Sequence, residues 1–144
     1  MASAKKIRSP RTRAGGEMTE SIYAIVLPIE LTNGNDGRGS KWFSSAKRRK
    51  EYEAILLPIV TVMFQSPVVV HVTRLLGHGQ RLWDSSSIGR GNWKEIEDSL
   101  VALGVFKDDS PQYIVETRFF QRKRLAIPKT NAKPATLLEV FEVW

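Results

Sequence analysis

Hydrophobic positions along this chain recur with two different periods, and clusters of glycine, proline and polar residues separate the periodic stretches. "SIYAIVLPIEL" (Ser21 to Leu31) is rich in β-branched and aromatic residues and predicts a strand ending near Pro28. "TNGNDGRGSKWF" is too polar and too rich in glycine to be core, and predicts a loop. Ser44 or Ser45 can cap a helix through "AKRRKEYEAILL", in which Tyr52, Ile55, Leu56 and Ile59 recur at helical spacing. Pro58 should kink or end that helix. "SPVVVHVTRLL" (Ser66 to Leu76) predicts a second strand, and "GHGQ" a turn. Trp93, Ile96, Leu100 and Leu103 then form one apolar helical face, so a helix is expected from about Asn92 to Leu103, stopped by Gly104. "PQYIVETRFFQRKRLA" predicts a third strand with a basic end, "PKTNAKP" a loop, and "ATLLEVFEVW" a final strand.

The order β, α, β, α, β, β predicts an α/β or α+β domain, a small mixed β-sheet with two main helices against it. At 144 residues the chain is most economically one domain, spanning 21–144 behind a basic arm at 1–20. The longest apolar stretch, "AILLPIVTVMF", is broken by Pro58, so no membrane span is expected. Cysteine is absent, which excludes disulfides and thiolate zinc sites and fits a reducing compartment such as the cytoplasm.

Charge narrows the partners. The formal net charge of +7 favours polyanions, nucleic acid above all. "MASAKKIRSPRTRAGG" carries Lys5, Lys6, Arg8, Arg11 and Arg13 without an acid, and its composition predicts disorder. Such an arm can contact DNA or merely solubilise the chain; an organelle transit peptide would need an amphipathic face, which is not evident here. "KRRK" (Lys47, Arg48, Arg49, Lys50) and "RKR" (Arg122, Lys123, Arg124) are too dense to be buried. Each is a solvated face by default and a phosphate track if the chain binds DNA, with Arg81 and Arg90 as further candidates. Trp42, Trp83, Trp93 and Trp144 could stack on bases, although Trp93 is periodic with core residues and Trp83 is expected to pack beside the acidic loop. His71 and His78 are isolated from each other and are assigned to no metal.

The candidate chemistry lies in "RLWDSSSIGRGNWKEIEDSLVALGVFKDDS", which carries carboxylates at both ends. Hard divalent cations are bound by oxygen ligands, often one or two carboxylates with substrate phosphate and water, which makes Asp84, Asp108 and Asp109 candidates. The competing reading is turn chemistry, because Asp108 and Asp109 are good Asx formers. Lys94 and Asp98, four apart, read as a surface ion pair. Glu97 falls between Trp93 and Val101 at the boundary of the buried face, where a carboxylate needs a partner.

"NWKEIEDSLVALGVFKDD" resembles the RusA-like Holliday junction resolvases, whose hallmark is Asp-x-Asp-Asn followed by a lysine, an aspartate, a glycine and a double aspartate. Lys94, Asp98, Gly104 and Asp108-Asp109 match that order and spacing; "YAIVLPIELTNGN" and "SSAKRRKEYEAIL" look like the family's first strand and first helix, so the likeness covers most of Ser21 to Trp144. The resemblance implies a dimeric, Mg²⁺- or Mn²⁺-dependent endonuclease that cuts branched DNA, most of all Holliday junctions, in the cytoplasm of a bacterial cell if the source is a phage. It assigns metal binding to Asp84 and Asp109 and phosphate assistance to Lys94. The second motif aspartate has no match: Ser86 stands there, Ser87 replaces the asparagine, and "GRG" is extra. Either Glu97 or Asp108 then completes the ligand set, or the chain is a catalytically weak or inactive protein that still binds branched or single-stranded DNA. A basic RNA-binding or assembly protein with a merely structural acidic turn is the more distant alternative.

Overall fold

The computed structural model describes residues 20–33, 42–123 and 132–143, apart from the side chains at 42–44 and 85. The basic arm through residue 19, the loop residues 34–41, Arg124 and Trp144 lie outside the described residues, as does the side chain of Trp42. Strands β1 (Ser21–Leu27), β2 (Val68–Leu76), β3 (Ile114–Lys123) and β4 (Ala135–Glu142) and helices α1 (Trp42–Leu56) and α2 (Trp93–Ala102) follow the predicted order. A 3₁₀ helix, Ser85–Arg90, which periodicity did not indicate, precedes α2. The architecture is a small mixed α+β domain, with one four-stranded sheet in the order β1-β4-β2-β3.

The sheet is antiparallel except at one pair. β4 runs antiparallel to both β1 and β2, whereas β3 lies parallel to β2 after a crossover through the 3₁₀ helix and α2. Position in the sheet explains each strand's sequence. β4 and β2 are central and almost wholly buried, while β3 is an edge whose outer positions carry Glu116, Arg118, Arg122 and Lys123.

The main core joins Leu27, Val70, Val72, Leu138 and Val140 of the sheet to Leu56 of α1, Ile96 and Leu100 of α2, and Ile88 of the 3₁₀ helix. Phe64 and Phe106 stack at 6.0 Å and close its lower end through an isolated parallel bridge. α2 ends as expected. Gly104 takes a left-handed φ of 85°, its N–H bonds Val101 O at 3.0 Å, and the Val105 N–H bonds Leu100 O at 2.9 Å, which satisfies two terminal carbonyls.

α1 departs from its expected apolar stripe. Tyr52 and Leu56 face inward, but Ile55 is 40% exposed, and Ile59 lies in the turn beyond the helix end. The helix stops at Leu56, two residues before Pro58, as the restriction on residues preceding proline requires. Much of its contact with α2 is polar. Ser45 Oγ donates to Glu95 at 2.9 Å, Arg48 Nε pairs with Glu95 at 3.4 Å, and Ser99 Oγ donates to Arg49 O at 3.0 Å.

The junction into α2 is the tightest place in the fold. Asn92 is 3% exposed; its Oδ1 accepts from the Thr32 N–H, and its Nδ2 donates to Glu30 O and Tyr52 Oη, each at 2.9 Å. One amide thereby ties the segment after β1 to both helices. Gly91 beside it packs directly on Thr32, where a Cβ would lie 1.8 Å from the carbonyl oxygen. Gly89 lies against the Phe119 ring, which a Cβ would meet at 2.8 Å. Gly89 and Gly91 are therefore packing requirements of this chain.

Candidate functional site

Helical geometry puts Lys94, Glu97 and Asp98 on one face of α2, at separations of three and four residues. The turn after α2 then returns Asp109 to the same face. Lys94 Nζ hydrogen-bonds Asp109 Oδ2, and lies 3.2 Å from Asp98 Oδ1 and 3.5 Å from Glu97 Oε1. Glu97, Asp98 and Asp109 each offer one oxygen, and these oxygens lie within 4.8 Å of one another. Arg49 of α1 reaches Asp98 at 3.9 Å and flanks the group.

The electrostatics follow from burial and from the lysine. The Glu97 carboxyl, only 13% exposed, is pushed up from its ordinary range, first by desolvation, and is pulled back in part by Lys94. Asp109, nearer to water, is held below the carboxylate range by the Lys94 hydrogen bond. Lys94 is raised, chiefly by the same bond. Three carboxylates and one ammonium leave the group acidic, a hard-oxygen donor set of the kind that suits Mg²⁺ or Mn²⁺.

The double aspartate divides its work between the two readings offered for it. Asp108 Oδ1 accepts the Asp109 N–H at 2.9 Å, a local turn contact, and its carboxylate does not join the group. Asp109 does join. Asp84 also stays outside: it is exposed at the entrance of the 3₁₀ helix, where its carbonyl accepts the Ser87 N–H at 2.9 Å. Ser86 is exposed on the 3₁₀ helix. Of the expected set, Lys94, Glu97 and Asp109 come together, whereas Asp84 and Asp108 stay outside the group. Asp98, read from sequence as half of a surface pair, is the third carboxylate; its spacing of four from Lys94 was the signal.

The basic candidates divide as well. Lys47 and Lys50 are exposed, whereas Arg48 and Arg49 pair with Glu95 and Asp98 of α2. Arg81, Arg90, Arg122 and Lys123 are exposed. Arg122 and Lys123 lie at the far end of β3 from Asp109, about 30 Å along a ten-residue strand.

Sequence reasoning missed a second polar assembly at that far end. Arg74 of β2 is 2% exposed, and its guanidinium lies 3.5 Å from the Trp83 ring centroid. Its Nη1 donates to Arg81 O at 2.9 Å and to Gln121 Oε1 at 3.1 Å. Gln121 in turn accepts the Trp83 N–H at 3.0 Å and donates to Trp83 O at 2.6 Å. Arg74 Nε is buried without a partner. An arginine inside an apolar strand, with a tryptophan a few residues on, was the available signal.

No family model matches the chain, and no curated protein matches it either. Among the described residues, no helix is long and apolar enough to cross a membrane.

Proposed function

We propose that the chain is a divalent-metal-dependent endonuclease acting on branched DNA, with a four-way junction as substrate and Mg²⁺ or Mn²⁺ as the metal. One observation carries the reading: three carboxylate oxygens converge within 4.8 Å of one another beside Lys94, with Arg49 of α1 at 3.9 Å from Asp98. Glu97, Asp98 and Asp109 would hold the cation, so the ligand set differs from the one that resemblance to the RusA-like family assigns, in which Asp84 takes part. A bound divalent cation would supply Lewis acidity and a more acidic water at the scissile phosphate. Lys94, 59% exposed, can turn from the carboxylates toward a phosphoryl oxygen and neutralise charge developing there. Lys47, Lys50 and Arg90 would draw the backbone in. A homodimer, one site per subunit, would account for paired incisions, and a cytoplasmic location suits a chain without cysteine.

A second reading, a junction-binding protein that does not cut, is favoured by two details: Asp84 stands apart from the carboxylates, and Lys94 sits where a cation would go. Incubation of a synthetic four-way junction with Mg²⁺ or Mn²⁺ separates the two. Symmetric incision, lost in Asp109→Asn while binding persists, supports the nuclease. Tight binding without incision in either metal favours the second reading. Equal affinity for junction, duplex and RNA refutes both.

A further inference from the structure

An exposed leucine is ordinary on a protein surface and by itself says nothing. Leu82 differs because of how its neighbours are held. It is 65% exposed, yet the carbonyl before it is fixed by Arg74, and both backbone polar groups of the residue after it are fixed by Gln121. The Trp83 ring, stacked on the Arg74 guanidinium, turns away from solvent and locks the strap a second time. Leu82 therefore cannot fold back onto the core.

The fold accepts a penalty for this arrangement. A guanidinium is buried on β2 with Nε unpaired, a desolvation cost that an aliphatic residue there would not carry. What results is one apolar side chain held outward by a rigid strap, with Arg81 beside it and Lys123, two residues beyond Gln121 and on the same face of the strand, exposed at the end of β3. Asp84, one residue past Trp83, is the strap's own exposed carboxylate. Contacts along β3 then lead from the strap to the candidate site. Trp83 meets Gln121, Gly89 of the 3₁₀ helix meets Phe119, and Trp93 at the start of α2 meets the same ring, next to Lys94.

We propose that Leu82 is a wedge that inserts between bases at the branch point of a DNA junction, with Arg81 and Lys123 gripping the flanking phosphates. Apolar side chains projecting from basic surfaces unstack base steps in this way, and a branch point, where stacking is already interrupted, is the cheapest place to do so. The inference rests on the DNA-binding part of the reading above and is independent of cleavage.

The test uses the full chain and a four-way junction carrying 2-aminopurine at the branch point, with the same base in a linear duplex and in a single strand as further arms. Wild type should raise 2-aminopurine fluorescence in the junction and leave it unchanged in the duplex. Leu82→Ala should abolish the rise and weaken junction binding about tenfold, the fold-change that corresponds to the lower end of burying a leucine side chain. Its duplex affinity and melting temperature should match wild type, because Leu82 contributes little to the folded core, and Leu82→Phe should restore the fluorescence. Junction binding by wild type with no fluorescence rise, or an equal rise with Leu82→Ala, overturns the wedge and leaves DNA binding standing. Failure to bind any of the three DNAs overturns both.

Discussion

Replacing Asn92 by alanine is the sharpest test of how α2 is held. The side chain makes three hydrogen bonds of 2.9 Å, to Thr32 N–H, Glu30 O and Tyr52 Oη, and reaches all three from a 3% exposed position. At about 1 kcal/mol net for each, their loss costs about 3 kcal/mol, and more if the Thr32 N–H and Glu30 carbonyl stay dry. For a chain of this length that corresponds to a fall of roughly 6–12 °C in melting temperature. Urea denaturation should show a lower midpoint with an unchanged m-value, since the folded surface is the same. Tyr52→Phe, which removes one bond, should cost about 1 kcal/mol. Asn92→Asp keeps an acceptor for Thr32 but loses both donors and directs an anion at the Glu30 carbonyl. Burial would raise the pKa of that introduced carboxyl, so its damage should be greatest above the folded pKa and should lessen as pH falls from there toward the unfolded carboxylate pKa. A loss under about 1 kcal/mol for Asn92→Ala would refute the view that this amide is a structural clamp.

Other tests address the candidate site and its approach. The Glu97 carboxyl is raised in the folded state, so the fold binds that proton more tightly than the unfolded chain, and stability falls as pH rises from the unfolded to the folded pKa. Glu97→Gln should remove that slope and make the protein equal to or slightly more stable than wild type at neutral pH, by up to about 1 kcal/mol, as read by melts across pH. Lys94→Met should increase Mn²⁺ affinity by calorimetry, because it leaves three carboxylates with no ammonium among them, while any cleavage falls. An unchanged or weaker Mn²⁺ isotherm would count against the ligand set. Gly91→Ala forces a Cβ within 1.8 Å of Thr32 O and should cost about 3 kcal/mol or more, or prevent folding. Gly79→Ala, with φ at 78° but open space around it, should cost only about 1 kcal/mol.

The four strands and α2 were legible in the sequence because their apolar positions pack against the core in the usual periods, whereas only Tyr52 and Leu56 of the stripe expected for α1 face inward. Sheet order was not legible. Nothing in "ATLLEVFEVW" says that β4 inserts between β1 and β2, since pairing partners are set by tertiary packing. The polar inner face of α1 was hidden for a related reason: Ser45 and Arg48 face Glu95, so periodicity in apolar residues undercounts the contact. Asn92 could be read as a helix start, but its amide is turned to three partners outside α2 and caps nothing. Lys94, Glu97 and Asp109 were nameable from spacing and resemblance together; that Asp84 stands apart from them depends on the path of the 3₁₀ helix, which has no periodic signature.

The place of β4 bears on how the chain matures. Every partner of β1 lies on β4, with Leu27 opposite Thr136, so β1 emerges from the ribosome long before the strand that will cover its edge. β2 and β3 can pair as soon as the crossover is made, giving a nascent half-sheet with one raw apolar flank. Insertion of β4 is then a single long-range event that joins two preformed pieces, which makes folding slow for a domain this small. During that interval β1 and the open side of β2 are the surfaces a chaperone would hold, and overexpression should yield aggregates whose order begins at those two strands.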